Sequence, residues 1–137
     1  MKLKSFNQSN SKNQVTGQAS LRINEKGGLF TLGKYASRLI GLSGKSSLEI
    51  FQDEDSIEDF FIYVSKSPEA FTLRCKTGTD SYAFNCTKLA KLILDRGIEK
   101  NHVVPLNRAE SFKIGAAIEV EGMPMHLIIL SKPFESK

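Results

Sequence analysis

The residues of this chain best suited to chemistry are two arginines in similar surroundings. Arg22 lies in Leu21-Arg22-Ile23 and Arg74 in Leu73-Arg74-Cys75, each flanked by apolar residues as on a half-buried strand. A guanidinium is planar, permanently charged and matched to phosphate oxygens. Two of them at corresponding places on two strands would make paired contacts to two segments of a nucleic-acid backbone, with nearby lysines adding attraction. The same alternation suits ordinary polar residues on the wet face of a sheet, and both readings stand at this point.

Other groupings offer less. Asp53 to Asp59 holds five carboxylates in seven residues. It lacks the ligand period and central glycine of a calcium loop and reads as a solvated hairpin connection. Gly41-Leu42-Ser43-Gly44-Lys45-Ser46 resembles the end of a phosphate loop, but Leu39 stands where the first glycine belongs and a helix precedes it. His102 and His126 are far apart, with no cysteine or carboxylate at ligand spacing. Cys75 and Cys86 fall on a strand and at a helix start, without metal-like spacing, and suit a reduced cytoplasmic setting; Cys86 reads as buried and inert. With no serine elbow and no acid–base pair, the sequence points away from an enzyme and requires no cofactor and no metal.

Length and charge set the frame for these residues. A chain of 137 residues, 40% hydrophobic and 25% charged, suits one soluble domain with one core. No apolar run approaches the roughly 20 residues of a membrane span, so no membrane partner is expected. Residues 1–18 carry Lys2, Lys4 and Lys12 and no acid; rich in Ser, Asn and Gln, they read as a disordered arm and not as a secretory signal. That arm holds most of the net charge of +4, leaving a nearly neutral body in which nucleic-acid binding is permitted but not demanded.

The elements that must position these residues appear twice. Leu21-Arg22-Ile23, Phe30, Lys34, Ala36 and Leu39 recur as Leu73-Arg74-Cys75, Phe84, Lys88, Ala90 and Ile93, at an offset of 52 for the first group and 54 for the rest. The first copy predicts strands over 19–24 and 29–32 about a glycine turn, then a helix from Lys34 stopped by Gly41. Tyr35, Ala36, Leu39 and Ile40 form its apolar face, with Lys34, Ser37 and Arg38 opposite. Strands over 47–52 and 60–64 follow. The second copy predicts a strand over 71–76, a turn over 77–80, a short strand over 82–84, and a helix capped by Asn85 or Thr87. That helix runs to about Arg96 and is stopped by Gly97. Strands over 103–106, 111–121 and 123–130 complete it, the last two joined across Gly122. The organisation is an arm (1–18), one domain (19–133) of two repeats (19–67 and 70–131), and a frayed tail (134–137). Two copies are too few for a solenoid. Each would leave an apolar hairpin face exposed unless the other covered it. The expected fold is mainly β with short helices (α+β): a small pseudo-two-fold β-barrel with two peripheral helices.

The run from Leu21 through Glu25-Lys26-Gly27-Gly28 to Leu32, the short helix to Gly41-Leu42, and Leu48-Glu49-Ile50-Phe51 resembles the AbrB/MazE/SpoVT family. The likeness covers roughly residues 20–65 and, through the repeat, more weakly 71–130. Two copies in one chain look like the tandem arrangement of MraZ-type members. The resemblance implies a swapped-hairpin barrel that binds double-stranded DNA, as a transcriptional regulator or antitoxin-like factor. Its DNA-contacting positions fall on Arg22, Lys26, Lys34 and Arg38, and by the repeat on Arg74, Lys76, Lys88 and Lys91. This chain departs from the family pattern in having Leu29 where the turn arginine stands and Gly33 where a proline opens the helix; the second copy has neither feature. The alternative is a protein-interaction module on the same barrel that has lost DNA binding, with an apolar patch near Phe60, Phe61 or Met123–Met125 as its partner surface. Monomer and homodimer both remain open.

Overall fold

A computed structural model describes residues 18–75 and 80–131. Most of the expected arm (1–17), Lys76 with the turn residues 77–79, and the tail from 132 onward lie outside the described residues. The first half runs β1 (Ser20–Asn24), a 3-10 turn (Lys26–Gly28), β2 (Leu29–Leu32), α1 (Lys34–Ile40), β3 (Ser47–Gln52) and β4 (Phe60–Val64). The second runs β5 (Phe71–Thr72), β6 (Arg74–Cys75), β7 (Tyr82–Asn85), α2 (Thr87–Asn101), a 3-10 turn (Leu106–Arg108), β8 (Ala109–Val120) and β9 (Met123–Ile129).

The chain is mainly β, and its strands form one sheet in the order β5-β3-β4-β9-β8-β1-β2-β7-β6, every pair antiparallel. The two ends of that order, β5 and β6, are separated in sequence only by buried Leu73. One extended segment therefore pairs with β3 through its first part and with β7 through its second, and the sheet curls into a nearly closed barrel. Phe71 and Phe84, from opposite ends of the strand order, stack at 4.5 Å, and Phe30 stacks on Phe84 at 4.6 Å.

The pairings repeat when the halves are exchanged. β1 pairs with β2 as β6 pairs with β7, and β3 with β4 as β8 with β9. The first strand of each half lies beside the hairpin of the other: β1 against β8, β5 against β3. Two contacts join like to like, β2 with β7 and β4 with β9. In the first of these, Phe30 stands directly opposite Phe84.

Alternation makes the core. Leu21, Ile23, Phe30, Leu32, Leu48, Phe60 and Ile62 are fully buried, while the residues between them face out; each large apolar side chain removed from water contributes about 2 kcal/mol. The helices extend the same core with Ala36 from α1 and Ala90, Ile93 and Leu94 from α2. Because Leu29 lies opposite Asn85 and Leu32 opposite Tyr82, α1 leaves one end of the barrel and α2 the other.

Several local expectations are corrected. Residues 103–106 form no strand: Pro105 has no N–H to donate, and His102, Asn107 and Arg108 take positive φ, so the segment cannot lie in a ladder. Val103, Val104 and Leu106 are exposed there. Gly97 does not stop α2. It lies buried within the helix, where a Cβ would come within 3.2 Å of the Phe112 ring, and the helix runs on to Asn101 before His102 turns left-handed. The N-cap of α2 is Cys86, without a side-chain cap bond, since Asn85 is engaged elsewhere. In α1, Ser37 is buried and donates to the Lys34 and Asp80 carbonyls, while Leu39 is exposed. Phe60 points into the core, leaving Phe61 as the outward ring.

Candidate nucleic-acid interface

The strand registers bring Arg22 and Arg74 into one row. Arg22 pairs with Thr31, Thr31 with Ala83, and Ala83 with Arg74. Arg22, Thr31 and Ala83 alternate with buried neighbours, and Arg74, which follows buried Leu73, shares their side of the sheet by its pairing with Ala83. Three strand spacings, about 14 Å measured along the curved sheet, separate the arginines. Thr31 and Ala83 between them are small, so no large side chain stands between the two guanidiniums on this outer wall. Repeat equivalence alone would set Arg74 opposite Asn85, the counterpart of Thr31; the β6–β7 register is displaced by two residues. Arg22 and Arg74 are thus not at equivalent places in the two halves, but they share one face.

The surroundings of that row are polar, and the nearest carboxylate on the neighbouring strand is that of Glu110, which accepts from the Ser111 N–H at 3.2 Å. The outward residues there include Ser111, Lys113, Ser20, Asn24, Thr31 and Asn85; β1, β2, β7 and β6 contain no Asp or Glu, whereas β8 contributes Glu110 and exposed Glu119. Lys113, opposite Ser20, adds a third cation that sequence reasoning missed. The signal was its place between Phe112 and Ile114, but only the pairing of β8 with β1 sets it beside Arg22. The Arg22 Nη1 lies 3.5 Å from Ser111 Oγ. Arg74 is held more firmly: its Nη2 donates to Asn85 Oδ1 at 2.6 Å, and Asn85 Nδ2 donates to the Gly27 carbonyl at 2.9 Å. The glycine turn of one half thereby positions the arginine of the other.

The remaining predicted residues are dispersed. Lys34 and Arg38 go with α1 to one end of the barrel, where Lys34 Nζ sits 5.2 Å from the Tyr35 ring centre and Arg38 pairs with Asp80 at 3.6 Å. Lys26, Lys88 and Lys91 gather at the other end, with Lys91 paired to Asp95 at 3.5 Å. These pairs are solvent-exposed and contribute little to stability. Lys76 lies outside the described residues.

The Lys26 end is organised by Arg108. Its guanidinium donates to both Glu25 oxygens, at 2.7 and 3.2 Å, and to Asp95 at 2.8 Å. Those hydrogen bonds hold the Glu25 and Asp95 carboxyls below their usual range and raise Arg108 further. The Glu25 N–H also donates to the Arg108 carbonyl. Near the other end, burial first and the Cys75 thiol second push the Tyr82 phenol up.

No known family model, curated protein or solved structure matches the chain. Among the described residues no group of three or more His, Cys, Asp or Glu is arranged to hold a metal ion, and no helix is long and apolar enough to cross a membrane. His126 is buried, its Nδ1 2.9 Å from the Gly115 carbonyl where β8 and β9 shift register, a structural bond.

Proposed function

We propose that this is a non-enzymatic, cytoplasmic DNA-binding protein, a transcriptional regulator or antitoxin-like factor, on a tandem swapped-hairpin barrel of the AbrB type. The observation that carries the reading is the row Arg22-Thr31-Ala83-Arg74, two guanidiniums on a wall whose strands β1, β2, β7 and β6 hold no carboxylate. Three strands apart on the outer face, the two arginines would contact separate phosphates of one duplex. Thr31 and Ala83 put no large side chain between the two arginines, and Lys113 adds a third cation on the Arg22 side. Such contacts position the protein without reading sequence. The exchange of hairpins between halves, with β1 against β8 and β5 against β3, supports the family reading.

Anisotropy titration of a labelled mixed-sequence duplex at low salt tests it. Binding at micromolar concentration or tighter is expected, weakened by about tenfold or more in Arg22→Ala/Arg74→Ala. No binding, or equal binding by the variant, contradicts the proposal. A second reading, a protein-interaction module, is favoured by an apolar cleft with acidic borders on the opposite wall.

A further inference from the structure

That cleft, of about 590 Å³, opens on the outer side of the β3–β4 and β8–β9 hairpins. Its floor is apolar: Phe51 and Phe61, paired across β3 and β4, and Met123 and Met125 from β9. Its border is acidic, with Asp53, Glu54 and Asp55 from the loop after β3 and Glu121 from the β8–β9 turn. Among the described residues none of these four carboxylates has a cationic partner, in contrast to Glu25, Glu58, Asp80, Asp95 and Glu99, which all have one. Nor do the acids converge as metal ligands. An apolar floor within unneutralised carboxylates is complementary to a side chain that is large and apolar with cations beside it.

We propose that the cleft docks a cationic segment of a protein partner, an extended stretch carrying a large apolar anchor flanked by Lys or Arg. The chain's own exposed surfaces fit less well. The Arg22–Arg74 wall has cations but only Thr31 and Ala83 between them, so it brings no anchor. The loop with Val103, Val104 and Leu106 has anchors, but its cations are engaged: Lys100 with Glu58, Arg108 with Glu25 and Asp95. In the ring of strands β4 and β9 lie opposite β2 and β7, so a partner here leaves the basic wall open. This docking is independent of whether DNA binds.

The probe is a fluorescein-labelled peptide of alternating Lys and Leu, titrated against the full chain at low salt, with a Glu/Leu peptide as control. Binding of the Lys/Leu peptide alone is expected, weakened about tenfold by E54Q/D55N/E121Q and again by F51S/M123S. Shifts of the Met123 and Met125 methyl signals in the unmutated chain are expected too, and they keep the test decisive should F51S/M123S unfold. Unmoved methyl signals, or binding that only the charge variant weakens, overturn the proposal. A rise in peptide affinity on K2Q/K4Q/K12Q would assign the cleft to the chain's own first residues. Light scattering showing self-association abolished by F51S/M123S would assign it to a second copy. Either result overturns the assignment to a partner.

Discussion

Arg108 shows how far one side chain reaches in this fold. It belongs to the second half, yet it anchors Glu25 in the first and Asp95 on α2. Both carboxyls titrate below their ordinary values because the guanidinium hydrogen-bonds the charged forms. A group whose folded pKa is depressed contributes stability that is complete above its unfolded pKa and is lost as pH falls through the folded value. Thermal stability should therefore fall as pH drops from the ordinary carboxylate range, near 4, toward 2, and Arg108→Met should flatten that part of the profile. Melts followed by circular dichroism across this range check it, and an unchanged slope in the variant contradicts it. Asn85 offers a second test, since it joins the Gly27 carbonyl to Arg74. Asn85→Ala should cost about 1 kcal/mol in urea denaturation and weaken duplex binding by loosening Arg74.

At the scale of elements, the two turn glycines separate conformation from contact. Gly27 and Gly28 both have positive φ, but a Cβ on Gly27 meets nothing within 4 Å, whereas one on Gly28 would lie 2.4 Å from the Thr87 backbone. Gly27→Ala should cost about 1 kcal/mol from the left-handed backbone alone. Gly28→Ala should cost at least about 3 kcal/mol, because α2 itself must move; urea melts of the two variants make the comparison. What the sequence made legible follows the same division. β2, β3 and β4 lie where alternation and local turns place them, since their signals are short-range. The length of α2 was not legible, because Gly97 reads as a stop until Phe112 is seen packed against it. The expected strand over 103–106 failed because apolar content was read without the left-handed residues that break its backbone. Arg22 and Arg74 were found as residues, but their common row depends on β2–β7 and β6–β7 registers that no local pattern records.

For the molecule as a whole, the segment around Leu73 holds the barrel shut. It alone belongs to both ends of the strand order, and Phe71 beside it stacks on Phe84. Phe84→Ala removes both stacks at once and should cost about 3–5 kcal/mol, read as a drop in the urea midpoint. The nearly closed barrel also separates two surfaces of opposite character: a basic wall over β1, β2, β7 and β6, and an acidic, apolar cleft over β3, β4 and β9. The central claim is that phosphates are held on the first of these. Its most direct test is the slope of log affinity against log salt for a mixed-sequence duplex, comparing the unmutated chain with Arg22→Ala/Arg74→Ala. Each phosphate contact contributes about 0.9 to that slope, so the double variant should be shallower by about 1.8. An unchanged slope, with affinity intact, would place the DNA elsewhere or nowhere on this protein.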